Sequence, residues 1–128
     1  MTAPRRGIVL IVDDSETCAE TLQIALESFP GVDIRVAYTV AAALRVLRNV
    51  SEPIAAVISD LQLPGMSGMD LLTSLRSESR FAHVPVLIIS GDTDPLAPQD
   101  ALSRGASAFF TKPYSPSAIR RKLEQLLK

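Results

Sequence analysis

One cysteine, Cys18, and one histidine, His83, are present in a chain of 128 residues. A single thiol cannot close an internal disulfide or supply a cysteine-ligated metal cluster, which suits a reducing cytoplasm. His83 stands alone before an apolar run, without ligand partners, and reads as a loop residue. Neither sign of charge is in excess. Thirteen Lys and Arg against 14 Asp and Glu leave a formal net charge of -1, so bulk electrostatics give no pull toward nucleic acid or an anionic membrane. Long apolar runs are also missing, and none approaches the roughly 18 residues of a membrane span. The GIVLIV that follows Arg5 and Arg6 is shorter than a signal-peptide core and stops at Asp13-Asp14 with no small-residue cleavage site. There is no internal repeat and no low-complexity tract. The remaining composition, 47% hydrophobic and 21% charged, is that of an ordinary globular chain, and by length residues 1–128 make one domain with a substantial core.

What is present is an alternation. IVLIV (8–12) is a continuous apolar run with no polar face, the pattern of a strand covered on both sides by helices. Similar runs recur at 33–38, 54–59, 85–90 and 108–111. Helical patterns separate them. The segment 16–29 places Cys18, Leu22, Ala25, Leu26 and Phe29 on one face, and 40–50 opens after a Thr39 cap. Ser67 and Asp70 form a capping-box pattern for a helix over 68–79, and Ser115-Pro116 opens the last helix. The weakest helix spans 98–104, limited by Pro95 and Pro98 and closed by Gly105. Five strands alternating with five helices imply right-handed crossovers and a doubly wound parallel α/β sheet.

In such sheets ligands bind beyond the carboxyl ends of the strands, where the winding direction switches. Those ends carry Asp13 and Asp14, Asp60, Ser90 and Lys112, each directly after an apolar run. Three carboxylates in one shallow pocket would raise one another's pKa or repel unless a cation intervenes. An oxygen-only donor set without His or Cys favours a hard ion, and a site of few carboxylates that retains several waters suits Mg²⁺.

IVLIVDDS, VISDLQLPGMSG, LIIS and FFTKP, in that order, resemble the receiver domain of two-component response regulators, as in the chemotaxis regulators. The resemblance covers nearly the whole chain. The spacing of Ser90 thirty positions after Asp60, and of Lys112 twenty-two after Ser90, is similar to the family's. It implies a flavodoxin-like sheet in strand order 2-1-3-4-5 and a phosphoacceptor switch in which Asp60 takes a phosphoryl group from a sensor histidine kinase, a phosphotransfer protein or a small phosphodonor. It further implies that Asp13, Asp14, Asp60 and the backbone carbonyl of Gln62 hold Mg²⁺. Lys112 and Ser90 would contact the phosphoryl oxygens, and Ser90 with Phe109 would form the switch pair. Phe109 lacks the hydroxyl often present at its position, and its rival reading is plain core. Gln62 and Asp92 would flank the pocket and tune acyl-phosphate lifetime, and the Lys112-Pro113 bond is expected to be cis.

By the same resemblance, an output partner or effector domain would dock on the face of the fourth helix, fifth strand and fifth helix, with homodimerisation through that face in some members. Direct nucleic acid or membrane binding is not expected, and a cytoplasmic location is. Arg120, Arg121 and Lys122 read as a solvated helix face. The chain stops with the last helix of the pattern, which leaves a stand-alone regulator and an excised domain both open. Two rivals remain. One is a Mg²⁺-dependent phosphohydrolase with an aspartyl-phosphate intermediate, which typically carries a second Asp two positions after its nucleophile, where Gln62 stands here. The other is a receiver-like interaction module that is never phosphorylated.

Overall fold

The structure is a computed structural model that describes residues 5–91 and 94–127. Its elements follow in chain order β1 (Gly7–Val12), α1 (Glu16–Leu26), β2 (Val32–Ala37), α2 (Val40–Asn49), β3 (Ile54–Asp60), α3 (Gly68–Ser77), β4 (Val86–Ser90), α4 (Ala97–Ser103), β5 (Ala108–Thr111) and α5 (Pro116–Leu126). All strand pairs are parallel, and the sheet order is β2-β1-β3-β4-β5. The doubly wound sheet read from the alternation, and the flavodoxin-like strand order implied by the resemblance, are the ones observed.

The period of two along each strand divides the core. Leu10, Val12, Val57, Val86 and Ile88 face a cluster closed by α2, α3 and α4. Val9, Ile11, Ile58, Leu87 and Ile89 face the opposite cluster, closed by α1 and α5. Each fully buried Leu or Ile contributes roughly 1.5–3 kcal/mol of transfer free energy. This two-sided demand is why the strands read as unbroken apolar runs rather than as polar-apolar alternation.

Element ends differ from the sequence expectation by a few residues. The helix expected over 16–29 stops at Leu26, and the chain turns so that the Phe29 N–H donates to the Leu26 carbonyl at 2.9 Å while the ring stays buried. Ala19 takes the core position on that helix, and Cys18 is only half-buried at its edge. The cap of α1 is Ser15, whose hydroxyl accepts from the Cys18 N–H at 3.3 Å. The capping box on α3 is present in both directions. In contrast, Ser115 at the start of α5 makes no cap bond and pairs with the Ser117 hydroxyl instead.

Two arginines close the fold where periodicity gave no warning. Arg76 at the end of α3 donates from Nε and Nη2 to the Gly105 carbonyl at 3.0 and 2.8 Å, and from Nη1 to the carbonyls of Phe81 and Ala82 at 3.2 Å each. Gly105 ends α4 with φ +106°, and the Ala106 N–H returns to the Ala101 carbonyl at 3.0 Å, the paired-bond helix stop that favours glycine. Arg120 corrects the reading of the 120–122 run as a solvated face. Its guanidinium donates to the Ala25 carbonyl at 3.1 Å and lies over the Phe29 ring, tying α5 to the last turn of α1.

Candidate functional site

The chain leaves β1 for β2 on one side of the sheet, and β3 continues on the other, so the winding switches between β1 and β3. Asp13 and Asp14 directly follow β1, and Asp60 is the last residue of β3. The fold therefore delivers the three carboxylates to one point, with one oxygen from each within 4.8 Å of the others. Asp13 and Asp60 are each only 5% exposed, whereas Asp14 is open to solvent. Four of the expected residues thus meet directly, because Lys112 reaches in from the end of β5. Its Nζ donates to Asp60 Oδ2 at 2.7 Å and lies 4.0 Å from Asp13 Oδ2.

Local bonds fix these side chains. Asp13 Oδ1 accepts from the Ser15 N–H at 2.9 Å, which orients the carboxylate at the mouth of α1. Asp60 Oδ1 accepts from the Gln62 N–H at 3.1 Å, leaving Oδ2 to Lys112. The Lys112 N–H donates to the Ser90 carbonyl at 2.8 Å, and the Lys112-Pro113 peptide is cis. Ser90 is fully buried at the end of β4, one position beyond Ile89, the β3–β4 register partner of Asp60. Phe109 pairs with Ile88 in β5 and is half-buried against the cluster beneath α4. Asp92 lies outside the described residues.

Burial is the main force on Asp13, pushing its pKa up from the ordinary value, and the Asp60 and Asp14 charges push the same way. The Ser15 N–H and Lys112 oppose this without cancelling it. For Lys112, burial works to lower the pKa, but the hydrogen bond and charge of Asp60, joined by Asp13, outweigh it and leave the ammonium raised. The pocket is therefore short of positive charge. Among the described residues its donor set is all oxygen, two of the three carboxylates are buried, and one lysine faces them, so these residues fit a hard divalent cation. Two clefts flank the point. One, of about 910 Å³, runs from Asp14 and Gln62 past Met69 to Leu96 and Ala97, and the other, of about 500 Å³, is lined by Cys18, Lys112 and Tyr114.

One contributor was missed by sequence reasoning. Gly68, the first residue of α3, packs onto the end of β3 so tightly that a Cβ there would lie 2.4 Å from the Asp60 carbonyl oxygen. Within PGMSG it reads as one more turn glycine, so only the close backbone approach reveals its role.

The family model of the response regulator receiver domain matches residues 9–124. The chain belongs to the response regulator receiver domain family. The receiver of this chain is 29% identical to the chemotaxis protein CheY1 of Helicobacter pylori over 119 residues, covering 93% of this chain and 95% of that one. It is 32% identical over 123 residues to the DNA-binding response regulator MtrA of Mycolicibacterium paratuberculosis, covering 96% of this chain and 52% of MtrA. Among solved structures, a response regulator receiver protein from Pseudomonas putida superposes with a TM-score of 0.84 at 29% identity, covering 98% and 99% of the two chains. A putative response regulator from Chloroflexus aurantiacus gives 0.83 at 28% identity, covering 98% of each. This receiver is thus a chemotaxis-regulator-like signalling switch of the two-component, phosphoacceptor type, and receivers are signalling proteins, not classical enzymes. Among the described residues no helix is long and apolar enough to cross a membrane.

Proposed function

We propose that Asp60 is the phosphoacceptor of a single receiver unit spanning residues 1–128, and that the chain catalyses only its own phosphorylation and dephosphorylation. The observation that carries this is the Lys112–Asp60 contact of 2.7 Å inside a cluster of three carboxylates at the switch point of the sheet. An ionised Asp60 needs no general base. One of its carboxylate oxygens attacks phosphorus of a donor phosphohistidine, an O–P bond forms, the N–P bond breaks, and the departing imidazole takes a proton from solvent. Lys112 pairs with Asp60 beforehand and with a phosphoryl oxygen afterwards, and the Ser90 hydroxyl donates to another phosphoryl oxygen. Asp13, Asp14, Asp60 and the Gln62 carbonyl would hold Mg²⁺, which when bound neutralises charge on the phosphoryl oxygens. The Gln62 side chain is an amide and cannot supply the acid-base step of a turnover phosphohydrolase.

In the same reading the donor is a sensor histidine kinase or a phosphotransfer protein in the cytoplasm. The output surface is α4–β5–α5, used for a partner, an effector domain or a second copy. Its support is the position of Phe109, half-buried beside α4 and three residues before Lys112; in this reading, movement of Ser90 would open space for the ring. Incubation with acetyl phosphate and Mg²⁺ followed by intact-mass measurement should show one added phosphoryl group on the natural chain and none on Asp60→Asn. A modified Asp60→Asn chain overturns the assignment.

A further inference from the structure

We infer that Ser59 is a positioning residue for the nucleophile: its hydroxyl fixes the peptide that leaves Asp60, and so sets where Gln62 is presented to the pocket. The inference rests on the reading of Asp60 as phosphoacceptor. Ser59 is fully buried in β3 among Ile, Val and Ala, a place where an apolar side chain would avoid the desolvation of a hydroxyl. The Ser59 hydroxyl donates to the Asp60 carbonyl at 2.9 Å. At the other end of that same planar peptide, the Leu61 N–H donates to the Ile89 carbonyl of β4 at 2.7 Å.

The next peptide is held in the same two-ended way. The Leu61 carbonyl accepts from the Gly68 N–H at 2.8 Å, and the Gln62 N–H donates to Asp60 Oδ1 at 3.1 Å. Two successive peptides after the nucleophile are thus pinned at both ends. Three of the four holds come from backbone donors, and Ser59 supplies the one side-chain donor. Gly68 packs onto the same peptide, where a Cβ would lie 2.4 Å from the Asp60 carbonyl oxygen. Without the hydroxyl, the Asp60–Leu61 plane keeps only its β4 anchor, and both the Gln62 N–H bond to Asp60 and the direction of the Gln62 carbonyl loosen together.

The test compares Ser59→Ala with Ser59→Thr, which keeps the hydroxyl on a β-branched side chain suited to a strand. Amide hydrogen exchange, read without Mg²⁺ or phosphodonor, should be about tenfold faster at Gln62 in Ser59→Ala, with Leu10 in β1 unchanged as the reference for global opening. The rate of phosphorylation by acetyl phosphate should fall by about tenfold in the same variant, and Ser59→Thr should restore both toward the natural chain. A folded Ser59→Ala with unchanged Gln62 exchange and unchanged phosphorylation overturns the inference. So does equal impairment of the two variants, which would assign the effect to side-chain volume. A natural chain that accepts no phosphoryl group overturns the phosphoacceptor reading instead, while the exchange comparison still decides whether Ser59 holds the loop.

Discussion

Asp13 carries its charge at a cost, because the forces that raise its pKa are penalties on the ionised form in the folded chain. A carboxyl whose folded pKa lies above its unfolded value favours folding when protonated. That contribution is complete below the ordinary value of 3.8 and is lost as pH rises through the raised folded value. Asp13→Asn should therefore be more stable than the natural chain at neutral pH, with the difference shrinking toward zero as pH falls below that window, measured by urea denaturation across pH without divalent ions. Its affinity for Mg²⁺ should fall about tenfold or more, since one ligand is lost, and a calorimetric titration reads that directly. Lys112 has the opposite sense at the same point. Its raised pKa stabilises the fold at neutral pH and loses that effect only as pH climbs past the ordinary lysine value of 10.5. One residue strains the pocket and the other relieves it, which is the balance expected where a cation belongs.

Secondary structure was legible where one chemical requirement repeats. The strands announce themselves because both faces need apolar side chains, and α3 because its cap uses Ser67 and Asp70 at fixed spacing. The rim was legible because Asp13, Asp14, Asp60, Ser90 and Lys112 each interrupt or end an apolar run. Arg76, Gly68 and Ser59 were not, because their roles depend on backbone atoms distant in sequence or on a local bond that no periodicity encodes. The Arg76 partners lie five, six and 29 residues away. Arg76→Met should destabilise the chain by about 2 kcal/mol in denaturant titration, because three carbonyls lose a charged donor in a half-buried setting. The loss should appear locally as faster amide exchange at Ala106, the residue that closes α4.

At the scale of the molecule, the sheet is a wall between two hydrophobic clusters with separate membership. Ile88 belongs to the side with α2, α3, α4 and Phe109, and Ile119 belongs to the side with α1 and α5. Ile88→Val and Ile119→Val should each lower stability by about 1 kcal/mol. The double variant should match their sum to within about 0.5 kcal/mol, since side chains on opposite faces share no packing partners. A larger departure in a double-mutant cycle would show that strain crosses the sheet. The wall thus makes the protein two thermodynamic compartments with one shared partition. Residues around Phe109 and α4 can drift in size and shape, retuning what the switch presents, without repacking the core beneath α1 on the opposite face.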